Sequence, residues 1–154
     1  MEWMLLPYKR YADFSGRSRR MEYWMFTLLS VIVSIVCVAL IFAGMASMED
    51  FATAEQTGAN PFGQMGVLSW IGMAILVIWG LASIIPSIAV AVRRLHDLNY
   101  SGWVYLGVVL LGIIPLVGTI VQLAFVVFMC IQGTKGPNKY GPDPLDPTNA
   151  SVFE

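Results

Sequence analysis

Residues 24–44 read WMFTLLSVIVSIVCVALIFAG, and no charged side chain interrupts them. An uncharged apolar run of about 18 residues or more is the mark of a membrane-spanning helix. Twelve of these residues are Leu, Ile, Val or Phe. At roughly −0.3 to −0.6 kcal/mol each at a helix centre they sum to about −4 to −7 kcal/mol, more than Thr27, Ser30 and Ser34 offset. Coiled as a helix the run is about 31 Å long, close to the hydrocarbon thickness. A cleaved secretory signal has a shorter apolar core of about 7–15 residues. Here a basic segment with its own motif precedes the run, so it is read as a retained span.

Two further charge-free runs, 67–92 and 103–131, follow. A soluble domain is about half apolar and a quarter charged, whereas this chain is 57% hydrophobic and 12% charged, with a mean hydropathy of +0.69. That balance excludes a water-soluble fold, and 154 residues allow one domain. As one helix, 67–92 would be about 39 Å long and must tilt, kink or emerge from the hydrocarbon. Pro86 supplies a kink by removing a backbone donor. Ser83, Ser87 and Ala91 recur every four residues, a spacing at which small side chains let helices approach closely.

The third run contains Gly112-Ile113-Ile114-Pro115-Leu116-Val117-Gly118 at its centre. As one helix it would be about 43 Å long, excessive even with tilt, and it is too short for two full spans. Two short helices meeting near Pro115, a hairpin returning to its side of origin, is the preferred reading, and a single long span is the alternative. The fold class is therefore an all-α membrane protein: a small helical bundle with two full transmembrane helices plus a Pro/Gly-broken third apolar segment. Cys37 and Cys130 both fall inside apolar runs and offer neither a metal-ligand spacing nor a disulfide framework.

Basic residues in short loops favour the cytoplasmic side. Segment 1–23 holds Lys9, Arg10, Arg17, Arg19 and Arg20, and the 93–102 connector holds Arg93 and Arg94, whereas the 45–66 loop has neither Lys nor Arg. The expected order is a cytoplasmic segment 1–23, a span 24–44, a periplasmic loop 45–66, a span 67–92, a cytoplasmic connector 93–102, the hairpin or span 103–131, and an irregular Gly/Pro-rich tail 132–154. Asn99 to Gly102 is turn-rich, and Ser101 is placed to cap the next helix.

Three polar strings flank the apolar runs: Phe14-Ser15-Gly16-Arg17-Ser18-Arg19-Arg20-Met21-Glu22-Tyr23-Trp24, then Arg93-Arg94-Leu95-His96-Asp97 with Ser101-Gly102-Trp103, and finally Gly133-Thr134-Lys135-Gly136-Pro137-Asn138-Lys139-Tyr140-Gly141-Pro142-Asp143-Pro144. In this order they resemble the signatures of the domain of unknown function 805, a family of small bacterial inner-membrane proteins. The resemblance covers nearly the whole chain. It departs at Tyr100, where a basic residue is expected, and at Lys139, where Arg is common. It implies a bacterial plasma-membrane location and no established activity or catalytic residues.

With a returning hairpin, Arg17, Arg19, Arg20, Arg93, Arg94, His96, Lys135 and Lys139 would share one cytoplasmic face. They are the expected contacts to anionic lipid headgroups or a protein partner, each Lys or Arg contributing about 1 kcal/mol near a charged surface. Glu22 and Asp97 are expected to pair with arginines and fix helix ends. His96 is the only histidine, and the Asp97 beside it is not automatically oriented onto the imidazole. No G-x-S-x-G nucleophile motif accompanies it, so catalytic residues, a metal and a cofactor are not expected. No charged residue lies inside the apolar runs, which disfavours a charge-relay transporter. The broken third segment keeps a small oligomeric transporter or channel component as the second reading. The basic residues form no long aromatic-interleaved patch of the kind nucleic acid requires. Partners are membrane lipids, with a homo-oligomer or membrane-protein partner also allowed.

Overall fold

The structure, a computed structural model, describes residues 2–45, 58, 60 and 65–146. Most of the 45–66 loop and the tail beyond residue 146 lie outside the described residues. Among the described residues five α-helices account for the regular structure: α1 (Glu2–Lys9), α2 (Arg20–Ala43), α3 (Val67–Asp97), α4 (Trp103–Gly112) and α5 (Val117–Cys130). Among the described residues the only strand-like feature is a single bridge between Asn138 and Gly141.

Polarity is inverted relative to a soluble protein. Along α2 the side chains of Leu28, Val31, Ile32, Ile35, Val36 and Phe42 are exposed, while Arg17, Glu22, Arg93 and Arg94 are buried. In water that arrangement would forfeit apolar burial and strand charges in a low-dielectric interior. In lipid, exposed apolar chains cost nothing and charges must find partners inside the protein. Among the described residues two helices, α2 and α3, are long and apolar enough to cross a membrane. The fold is that of an α-helical membrane protein.

The chain divides into two compact units, residues 29–83 and residues 1–28 with 84–154. In the first, the end of α2 meets the start of α3. Ser69 Oγ donates to the Ile41 carbonyl at 2.6 Å, and the Gly66 N–H donates to the Gly44 carbonyl at 2.8 Å. Gly72 is buried against α2, and a Cβ there would lie 2.8 Å from the Cys37 carbonyl oxygen. Contact this close needs a residue without a side chain.

In the second unit α3 continues through Pro86 and does not stop where the charges begin. Its C-terminal end carries Arg93, Arg94, His96 and Asp97, residues the sequence places in a connector. The turn at Leu98–Asn99 then reverses the chain, with Asn99 at φ 64°, a left-handed conformation that Asn tolerates. The N-cap position of α4 is Gly102, one residue later than expected, while Ser101 Oγ accepts the Trp103 N–H at 3.4 Å.

The third apolar run folds as two short helices packed on each other, α4 and α5. Gly118 is buried against Gly112, and a Cβ on it would overlap the Gly112 carbonyl. The linker places Leu116 at φ 64°, a strained conformation for a bulky residue. At about 15 and 21 Å neither helix matches the hydrocarbon thickness. Tyr105 and Phe125 meet across the pair at 5.8 Å between ring centroids. Leu95 from α3 joins Phe125 and Met129 in the apolar core, flanked by Tyr23, Trp24 and Tyr105. The end of α5 thus returns to the last turn of α3.

Helix α1, unforeseen in the sequence, carries Glu2 in its first turn and Lys9 in its last, each complementing the helix dipole. Tyr8 packs on Phe26 with centroids 5.4 Å apart, and the Arg19 guanidinium sits 5.4 Å over the Trp3 ring. Helices this short are held by such packing rather than by propensity.

Candidate functional site: a buried charge cluster

Burying a guanidinium is tolerable only when partners replace the water it loses. Arg93 Nη2 donates to Glu22 Oε1 at 2.7 Å, and both side chains are 0% exposed. Glu22 also accepts from Ser18 Oγ at 2.6 Å, while the Ser18 N–H donates to the Arg93 carbonyl at 3.1 Å. Arg93 Nη1 reaches the Asp13 carbonyl, so the N-terminal segment wraps the last turns of α3.

Asp97 forms the second centre. Arg17 Nε and Nη2 both lie 2.9 Å from its Oδ1, and Arg94 Nη1 donates to its Oδ2. A carboxylate at the C-terminus of α3 opposes the helix dipole, and the two guanidiniums offset that cost. Three buried guanidiniums face two buried carboxylates, and backbone carbonyls take up the surplus. Arg17 donates to the carbonyls of Gly136 (2.7 Å) and Thr134. Arg94 donates to those of Met129 (3.3 Å from Nε) and Ile131. These last are C-terminal carbonyls of α5, which have no acceptor role left inside their own helix and sit at its negative pole.

The tail is irregular, yet tightly tied. Thr134 donates through its N–H (2.9 Å) and its hydroxyl (3.0 Å) to the Asp97 carbonyl. Asn138 Nδ2 donates to the His96 carbonyl at 2.9 Å and to Thr134 Oγ1 at 3.0 Å. A Cβ on Gly133 would overlap the Asp97 carboxylate, so only glycine lets the tail approach that acid. Asp143 Oδ1 accepts the Leu145 N–H at 2.9 Å and Oδ2 the Gly136 N–H at 2.8 Å, bonds that hold its carboxyl below the ordinary value, the Leu145 bond most strongly. At the other edge Asp13 titrates at about 2. Burial works against this, and the bonds from Ser15 and Arg10 outweigh it.

His96 stacks on Tyr140, with centroids 3.9 Å apart and planes 6° from parallel, and its Nδ1 lies 3.2 Å from the Gly16 carbonyl. The Asp97 carboxylate is held by Arg17 and Arg94, not by this imidazole, so the adjacent pair forms no His–carboxylate dyad. Among the described residues no three His, Cys, Asp or Glu side chains converge as metal ligands.

The eight basic positions singled out in the sequence differ in burial, with Arg19 and His96 intermediate. Arg17, Arg93 and Arg94 are buried, and a guanidinium committed to interior partners is not offered to a headgroup. Arg20, Lys135 and Lys139 are exposed, with Arg20 donating to the Cys130 carbonyl at 3.2 Å and Lys139 Nζ lying 4.9 Å over the Tyr140 ring. Arg19 is partly buried and bonds the Pro144 carbonyl. Ser18, Thr134, Asn138 and Tyr140 complete the cluster without having been singled out. Their signal in the sequence was membership of the three polar strings.

The family model for DUF805, described as a protein of unknown function, matches residues 11–142. Inner membrane protein YhaI of Escherichia coli (strain K12) is 38% identical over 146 residues, covering 94% of this chain and 96% of its own. Inner membrane protein YhaH of the same organism is 36% identical over 148 residues, covering 96% of this chain and 100% of its own. No solved structure matches. With a family match that spans four of the five helices and most of the charge cluster, the chain belongs to the DUF805 family of membrane proteins.

Proposed function

We propose that this protein is a non-enzymatic scaffold of the bacterial inner membrane whose N-terminus, α3 end and tail face the cytoplasm and dock on anionic lipid headgroups. The observation carrying the proposal is the division of labour among its basic residues. The interior guanidiniums consume the interior carboxylates and lock three polar strings into one rigid platform. Arg20, Lys135 and Lys139 remain exposed beside it, each worth about 1 kcal/mol against an anionic surface. The lack of a carboxylate on His96 favours binding over catalysis.

Retention of phosphatidylglycerol against phosphatidylcholine by the delipidated protein, read by native mass spectrometry, tests the proposal. Arg20→Gln/Lys135→Gln/Lys139→Gln is expected to lose phosphatidylglycerol preference about tenfold or more. Equal preference in native and variant protein removes the lipid-docking role. A C-terminal reporter active only in the periplasm removes the cytoplasmic placement.

A further inference from the structure

All three polar strings meet at one imidazole. Gly16 of the first supplies a carbonyl to His96 Nδ1, His96 itself belongs to the second, and Tyr140 of the third stacks on the ring. A carbonyl only accepts, so Nδ1 carries the proton of the neutral imidazole and Nε2 keeps its lone pair. Nε2 is 3.5 Å from the position a Cβ on Gly102 would take, and both residues line a cavity of about 590 Å³. That volume is within the range of small-molecule sites, about 300–1,000 Å³.

The lining is graded along its length. Ile88 and Val92 of α3 face Leu106 and Val109 of α4 as an apolar wall, and His96 and Ser101 stand where α3 ends and α4 begins. Tyr100 and Trp103 at that same end are exposed, the placement of aromatic residues at a membrane–water interface. The polar end of the cavity therefore lies at headgroup level and its apolar wall among acyl chains.

We propose that this groove holds an uncharged long-chain amphiphile with a free hydroxyl, a monoacylglycerol in class, its hydroxyl donating to His96 Nε2 and its chain lying along Ile88, Val92, Leu106 and Val109. The Ser101 hydroxyl is the second polar contact. A lone pair at Nε2 selects a donor and offers nothing to a phosphate or carboxylate. Arg20, Lys135 and Lys139 do not line this groove, and its occupancy stands independently of docking on anionic headgroups.

The full-length protein in phosphatidylcholine nanodiscs, photolabelled with a diazirine-tagged monooleoylglycerol, tests the proposal by peptide mapping. Labelling is expected on residues 88–92 and 103–109, competed by unlabelled monooleoylglycerol and not by methyl oleate or lysophosphatidate. Val109→Trp fills the groove from an exposed position and abolishes the labelling. His96→Asn keeps a donor for the Gly16 carbonyl and removes Nε2, lowering labelling about fivefold to tenfold, the loss of one hydrogen bond. Undiminished labelling in Val109→Trp, or competition by lysophosphatidate equal to that by monooleoylglycerol, overturns the assignment even if His96→Asn fails to fold.

Discussion

Glu22→Gln isolates the electrostatic part of the cluster. The amide preserves the size of the side chain and an acceptor for Arg93 Nη2, now 2.7 Å away, and removes only the charge. Both partners are 0% exposed, so solvent does not screen the loss. Two unit charges about 4 Å apart at an effective dielectric of about 20 interact by roughly 4 kcal/mol. Breaking a buried pair from one side costs about 3–5 kcal/mol, because the remaining charge stays buried and uncompensated. The retained acceptor places Glu22→Gln near the lower end, about 3 kcal/mol. At roughly 2–4 °C per kcal/mol for a chain of this size, Tm falls by about 6–12 °C. The assay is heating in detergent with the surviving monodisperse fraction read by size-exclusion fluorescence. Reactivity of the Cys37 thiol, buried in the native state, gives a second readout. Arg93→Gln on its own should destabilise as strongly. The double variant should then be milder than the sum of the two by about 0.5–3 kcal/mol, the coupling of contacting residues. A Glu22→Gln protein melting within about 2 °C of the native one, or strict additivity in the cycle, would refute the claim that this pair organises the fold.

Arg17→Gln should free the tail, since Arg17 joins Asp97 to the Thr134 and Gly136 carbonyls; trypsin cleavage after Lys135 and Lys139 then accelerates before α2 or α3 is cut. Gly118→Val should separate α4 from α5 by forcing a side chain into the Gly112 carbonyl, costing about 1–3 kcal/mol as overpacking. Leu116→Gly should stabilise by roughly 1 kcal/mol, because the positive φ there strains leucine and the side chain is 82% exposed. Asp13 titrates at about 2 in place of 3.8, so its contribution is complete above pH 3.8 and lost as pH falls toward 2. Pepsin cleavage of the 10–16 segment should rise across that window in the native protein. In Asp13→Asn the rise should be absent.

Helix α3 shows where reading from local sequence stops. Its charges begin at Arg93, and a run of Arg, His and Asp resembles a solvated connector, yet the helix continues to Asp97. The polar turn is stable because Glu22, Ser18 and Thr134 supply partners from elsewhere in the chain, 37 or more residues away. The third apolar run is the converse case. Its Gly112–Gly118 interruption was legible, and helices end on both sides of it. The fold-back was favoured by helix lengths and by Lys135 and Lys139, which prefer the cytoplasmic side, while the packing of α5 back onto α4 rests on contacts that helical periodicity does not encode. Helix α1 left no signal strong enough to find, since eight residues give too few turns for a periodic pattern.

By itself the sequence determined the solvent: three charge-free apolar runs require lipid around them, because hydrocarbon transfer is additive along the chain and needs no partner. It also placed the acids and bases at the ends of those runs. Only the tertiary structure decided that Arg17, Arg93 and Arg94 turn inward while Arg20, Lys135 and Lys139 stay outside. The physical reason is that a buried charge is stabilised by the particular oxygens around it. Here those oxygens come from residues up to 119 positions away in the chain, brought together only when the hairpin returns the tail to the end of α3.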